Sequence, residues 1–80
     1  MKQQELTLYQ VIAILSQIEN KDKVFRRVGD NKFKIFKNSY GNLMYKIENS
    51  TNDSIRPLPI FNYMQDKWVV IDGWVVQNWQ

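Results

Sequence analysis

At 80 residues, 44% of them hydrophobic and 14% aromatic, the chain has the material for one cored domain spanning 1–80 and is too apolar for a disordered segment. It contains neither Cys nor His, so disulfides, thiolate metal sites and most zinc, haem and triad chemistry lack their usual residues. The net charge of +3 is uneven: residues 21–37 hold seven bases against Asp22 and Asp30, a local +5, while the remainder is −2.

A chain this short buries a modest fraction of its surface, so its stability rests on the core and on any homo-oligomer it forms. The segment Met1–Glu5 is polar with no long apolar run behind it. No secretory signal, membrane span or membrane partner is expected, and the expected location is the cytoplasm. Asn49-Ser50-Thr51 and Asn52-Asp53-Ser54 match the glycosylation pattern but read as turn residues in that setting.

Taken in order, Thr7 to about Ile18 predicts a helix. Leu8, Val11, Ile12, Leu15 and Ile18 form one stripe at the 3.6-residue period. Thr7 with Gln10 makes a capping box, Leu6 with Val11 fits a hydrophobic staple, and Asn20 is a plausible stop. Lys23 to Val28 predicts a strand, and Gly29-Asp30-Asn31 a turn. Lys32–Lys37 begins with strict alternation, Phe33 and Ile35 facing one way and Lys32 and Lys34 the other. After a turn at 38–42, Leu43, Tyr45 and Ile47 alternate with Met44, Lys46 and Glu48, and the three strands predict an antiparallel meander.

Asn49 to Ser54 reads as a polar loop. Pro57 and Pro59 restrict Ile55–Ile60 to an edge or a loop, because neither can donate to a ladder. Phe61 to Asp66 fits a short turn or a single helical turn. Trp68–Ile71 reads as a buried strand, Asp72-Gly73 as a hairpin and Trp74–Gln77 as the returning strand. The expected fold is α+β: one N-terminal helix packed on a twisted antiparallel sheet of four to five strands.

The candidate chemistry is that of binding, not catalysis. Arg26 and Arg27 can offer bidentate forks to a phosphate or carboxylate, with Gly29 and Asn31 adding turn donors. Neighbours on a strand point to opposite faces, so the two arginines are not expected to share one flat site. The plainer alternative leaves one in solvent and pairs the other with a local acid. Lys32, Lys34 and Lys37 fit either a solvated sheet face or, less well, a nucleic-acid groove. Trp68 and Trp74 are expected in the core, while Trp79 suits either a partner surface or closure over the helix. Asp30, Asp53, Asp66 and Asp72 all fall in expected turns, and the three glycines at 29, 41 and 73 are isolated. No catalytic set, metal site or cofactor is expected.

An N-terminal helix with Tyr9, Ile12 and Leu15, a connector Lys21-Asp22-Lys23, the run Phe25–Asn31 and the closing Asp66-Lys67-Trp68-Val69-Val70 follow one another here. This order resembles small phage proteins of the second Thoeris anti-defence family and related phage proteins of unknown function. In that family a helix of form F-x-x-A-x-x-x-L leads into a Lys-rich connector, a motif close to A-R-R-x-G-W-N-G, and a closing D-D-W-x-V-V strand. The likeness runs over about residues 7–71. Asp30 stands where the family motif has Trp, Lys67 replaces the second acid, the middle is shorter, and Trp74–Gln80 extends past the usual end.

The resemblance implies a non-enzymatic sponge. It would be a homo-oligomer that sequesters a nucleotide-derived immune signal, cyclic ADP-ribose-like or a cyclic oligonucleotide, inside the host cell. Arg26, Arg27, Gly29, Asn31, Asp66 and Trp68 would be the ligand-binding residues. Two other readings stand beside it. One is a protein–protein inhibitor of a host defence factor such as a CRISPR nuclease. The other, ranked behind it, is a small nucleic-acid-binding accessory protein.

Overall fold

The computed structural model describes residues 4–48 and 55–75, the last four by their backbone. One helix packs on one face of a six-stranded antiparallel sheet. The strands are β1 (Leu6–Thr7), β2 (Lys23–Arg27), β3 (Asp30–Lys37), β4 (Leu43–Ile47), β5 (Arg56–Pro57) and β6 (Lys67–Val75), in the spatial order β1-β6-β2-β3-β4-β5. The α+β expectation holds, with six strands instead of four or five. The added strands are the two-residue edges β1 and β5, which exist by pairing with β6 and β4. Short edges, one ending in Pro57, leave little ladder for another chain to extend.

Helix α1 (Leu8–Leu15) starts where the sequence marks it. The Thr7 hydroxyl accepts from the Gln10 amide at 3.2 Å, and the Gln10 side chain accepts from the Thr7 amide at 2.8 Å. Leu8, Val11 and Leu15 are buried. The helix ends before Ile18, however. The Ser16 hydroxyl donates to the Ala13 carbonyl at 2.6 Å, and Gln17 turns to an extended conformation. Ser competes for backbone partners in this way and weakens a helix interior. Ile18 is therefore 82% exposed, in a single 3-10 turn (Ile18–Asn20), and Ile12 is only partly covered. The Lys37 ammonium, from β3, donates to the Leu15 carbonyl and supplies the cation that the last turn of α1 lacks.

Strands β2, β3 and β4 form the expected meander. The first turn is tighter than Gly29-Asp30-Asn31: Arg27 pairs with Asp30, leaving Val28 and Gly29 between them, with Gly29 at φ +92°. Arg26 pairs with Lys34, so residues 31–33 have no Cα partner on β2. This bulge is what re-aims Asn31. In the second turn the Asn38 carboxamide oxygen accepts from the Tyr40 and Asn42 amides, and Gly41 has φ +86°.

Leu58, between two prolines, donates its amide to the Leu43 carbonyl at 3.0 Å and buries its side chain. A 3-10 turn (Ile60–Tyr63) follows. Strand β6 then runs straight through Asp72-Gly73, so the expected hairpin is absent. Its pairing with β2 moves from Phe25↔Val70 to Lys23↔Val75, and three residues of β6 are taken up in the irregularity. The turn-favouring pair makes a bulge because the β2 ladder continues on either side of it. The expected Asn49–Ser54 loop and the residues from Val76 on, Trp79 among them, lie outside the described residues. So does the Trp74 side chain.

Alternation divides the sheet. Phe25, Phe33, Ile35, Trp68 and Val70 face α1 with Leu58 and Tyr63. Val24 and Phe36 lie on the other face, with Met44 and Ile71 packed against them.

Candidate functional site

The residues expected to bind a ligand separate into two groups. Arg27 ends β2 on the helix side. Its guanidinium donates to the Asp66 carboxylate at 3.1 Å and lies over two rings, 5.6 Å from the Phe33 centroid and 5.5 Å from that of Tyr63. Phe33 in turn stacks on Tyr45 at 5.1 Å and tilts against Trp68 at 5.8 Å. Trp68 is fully buried, and its indole N–H has no hydrogen-bond partner. The cluster ties the end of β2 to the Ile60–Tyr63 turn and the start of β6. Here Arg27 and Asp66 satisfy each other and Trp68 is core.

Arg26 points the other way. Its Nη1 donates to the Asn31 side-chain oxygen at 3.0 Å, and the Lys34 ammonium donates to the Asn31 carbonyl at 2.9 Å. Arg26 and Asn31 therefore meet on the face away from α1, across the sheet from Arg27, Asp66 and Trp68. The divergence expected of adjacent strand residues is realised in full. Gly29 sits at the turn with open space where a Cβ would go, so its role is the positive φ and not room for a ligand.

The concave feature of the helix side was not legible in the motifs. A cleft of about 380 Å³ opens between α1, β2 and β6, lined by Gln4, Leu6, Ile14, Asn20, Lys23, Phe25 and Val70. Its origin is in the pairing. The β1–β6 ladder runs through Thr7↔Lys67 and Leu6↔Trp68, and Gln4 lies outside it. The walls at Leu6, Ile14, Phe25 and Val70 are apolar, and Gln4, Asn20 and Lys23 bring two amides and a cation to the rim. Of the three polar rim residues, Lys23 belongs to the basic connector and Asn20 is the expected helix stop. The described residues lining the cleft include no carboxylate, so they offer a binding surface and no acid–base pair. Among the described residues no group of three His, Cys, Asp or Glu could hold a metal, and no helix is long and apolar enough to cross a membrane.

No family model, curated protein or solved structure matches the chain. The resemblance to the anti-defence family thus stands on the quoted motifs.

Proposed function

We propose that the chain is a non-catalytic binding protein of the counter-defence kind: a homo-oligomer in the host cytoplasm that takes up a nucleotide-derived signal and withholds it from its effector. The observation that supports this reading is the cleft beside Lys23. Its volume falls within the roughly 300–1,000 Å³ range of small-molecule sites, and its apolar walls with few polar groups have the usual composition. A base would lie against Ile14 and Val70, with a phosphate at Lys23. Asp30 stands where the family motif has Trp, and Phe25 is fully buried, so the contact available to a base in this chain is aliphatic.

A thermal-shift panel of cyclic ADP-ribose and cyclic dinucleotides tests the reading. A ligand present at a hundredfold over its Kd adds about 2.7 kcal/mol, which for a domain of this size raises Tm by roughly 10–20 °C. Lys23→Ala and Ile14→Trp should abolish the shift, and Arg27→Ala should lower the starting Tm while leaving the shift in place. If no member of the panel moves Tm, the sponge reading fails. Native mass spectrometry of the same samples reads the oligomer and any retained nucleotide.

A further inference from the structure

Phe61 is 92% exposed, yet the turn that carries it is firmly held. Before it, Leu58 is buried and its amide donates to the Leu43 carbonyl at 3.0 Å. Within it, the Asn62 amide donates to the Pro59 carbonyl at 3.0 Å. After it, the Tyr63 ring packs 5.1 Å from that of Phe33 and lies under the Arg27 guanidinium. A large apolar ring displayed on an anchored turn loses little freedom on entering a pocket, and aromatic anchors of this kind dominate interface energies. The Leu58–Leu43 bond extends the β4–β5 register by one residue. Ile60 and Phe61 therefore follow on beside the 38–42 turn, where Tyr40 is 88% exposed on a loop held by the Asn38 carboxamide. Exposed apolar residues scattered singly mean little, but here three are gathered at one corner of the sheet.

The chain also carries the complementary shape. The cleft between α1, β2 and β6 has apolar walls at Leu6 and Ile14, and its volume of about 380 Å³ admits a phenyl ring. Cleft and knob both lie on the helix side but towards opposite flanks of the sheet. The cleft is at β6 and β2, and the turn sits over β3 and β4 beside the β5 edge. β6, β2, β3 and β4 are successive strands, so at about 4.8 Å each β4 lies roughly 14 Å from β6. With both ends of its turn anchored, Phe61 cannot reach the cleft of its own chain. The complement open to it is the cleft of another copy.

We infer that Phe61 of one copy seats in the apolar cleft of the next, with Ile60 and Tyr40 packing at its rim. The contact is heterologous. Each copy offers a knob on one flank and a socket on the other, so copies join head to tail into a ring or an open row. A buried aromatic side chain contributes roughly 150–250 Å², well under the about 800 Å² per partner of a standard interface, so the association is weak and concentration-dependent. It goes beyond the signal-binding reading and needs no ligand, so it holds or fails separately. A nucleotide and the neighbour's Phe61 draw on the same walls, and uptake of a signal therefore loosens the assembly.

Sedimentation velocity of the ligand-free full chain, from about 1 μM to about 1 mM to cover weak complexes, tests this. The average mass should rise with concentration and pass that of a dimer. Phe61→Asp and Ile14→Trp should each stay monomeric, the first without its knob and the second with its socket filled. An equal mixture of the two should form a dimer that grows no further, because one intact knob meets one intact socket. Circular dichroism checks each fold. Should Ile14→Trp not fold, Gln4→Trp at the exposed rim fills the socket instead. A wild-type chain that stays monomeric overturns the proposal, which is also the result if another segment of the same chain fills the cleft. A mixture that forms no dimer overturns it too. Wild type that stops at a dimer overturns the head-to-tail assignment in favour of a two-fold contact.

Discussion

Arg27 is the residue on which the sequence motif and the three-dimensional arrangement diverge most, and replacing it separates the two. Arg27→Ala removes an ion pair to Asp66 whose side chains are 33% and 24% exposed. A partly exposed pair of that kind contributes about 0.2–1 kcal/mol. It also removes two ring contacts, at 5.6 and 5.5 Å, each worth roughly 0.5–1 kcal/mol. Their sum is about 1–3 kcal/mol, a fall in Tm of roughly 5–20 °C for a small domain. Arg27→Lys keeps the charge but loses the planar group that lies over Phe33 and Tyr63, so it should fall between wild type and Arg27→Ala. A double-mutant cycle with Asp66→Asn, followed by urea unfolding, should return a coupling of no more than about 1 kcal/mol. The rings, not the carboxylate, then hold most of the clamp. If Arg27→Ala unfolds at the wild-type midpoint yet loses ligand, Arg27 is a ligand contact and the structural role assigned to it is wrong.

Three further substitutions probe the same hairpin and core. Trp68→Ala empties a fully buried site and should cost about 3–5 kcal/mol, enough to abolish cooperative unfolding in a domain this small. Trp68→Phe also removes the unpartnered indole N–H, itself a burden of about 1–3 kcal/mol, so its loss should be well below that of Trp68→Ala; equal losses by denaturant titration would show that the orphan N–H carries no penalty. Gly29→Ala meets no steric obstacle but forces a Cβ into φ +92°. A loss of about 1–2 kcal/mol is expected, and an unchanged Tm would mean that the Val28–Gly29 turn adapts.

What could be read from the sequence was what local rules govern. The capping box at Thr7 and Gln10 and the alternation of Phe33, Ile35, Tyr45 and Ile47 each depend on residues within a few positions, and both appear in the fold as expected. Strands β1 and β5 are two residues each and have no pattern of their own; only the presence of β6 and β4 beside them makes them strands. Asp72-Gly73 is a strong turn signal that lost to a ladder, since β2 pairs with β6 on both sides of it. Ile18 fits the helical stripe, yet the Ser16 hydroxyl diverts the chain first. For the site, alternation alone foretold that Arg26 and Arg27 diverge. The cleft was out of reach, because its lining comes from residues between Gln4 and Val70 that no spacing rule connects.

The difference between the two faces of the sheet follows from one property of the β2–β3 hairpin. It concentrates positive charge in a short segment, and the pleat then distributes that charge by parity. Odd positions send Lys23, Arg27 and Lys37 to the helix side, where the core is close and each cation meets a specific local demand: a cleft rim, an acid with two rings, and the free carbonyls of α1. Even positions send Arg26, Lys32 and Lys34 to the side with no helix, where Asn31 accepts from Arg26 and Lys34 and Glu48 pairs with Lys34. The partner strands reinforce the difference, β4 and β6 adding Lys46 and Lys67 to the second set. Neutralising Arg27 should therefore lower the urea midpoint, because Asp66, Phe33 and Tyr63 lose their shared partner, whereas Lys32→Gln, at an exposed side chain, should leave stability within about 0.5 kcal/mol of wild type.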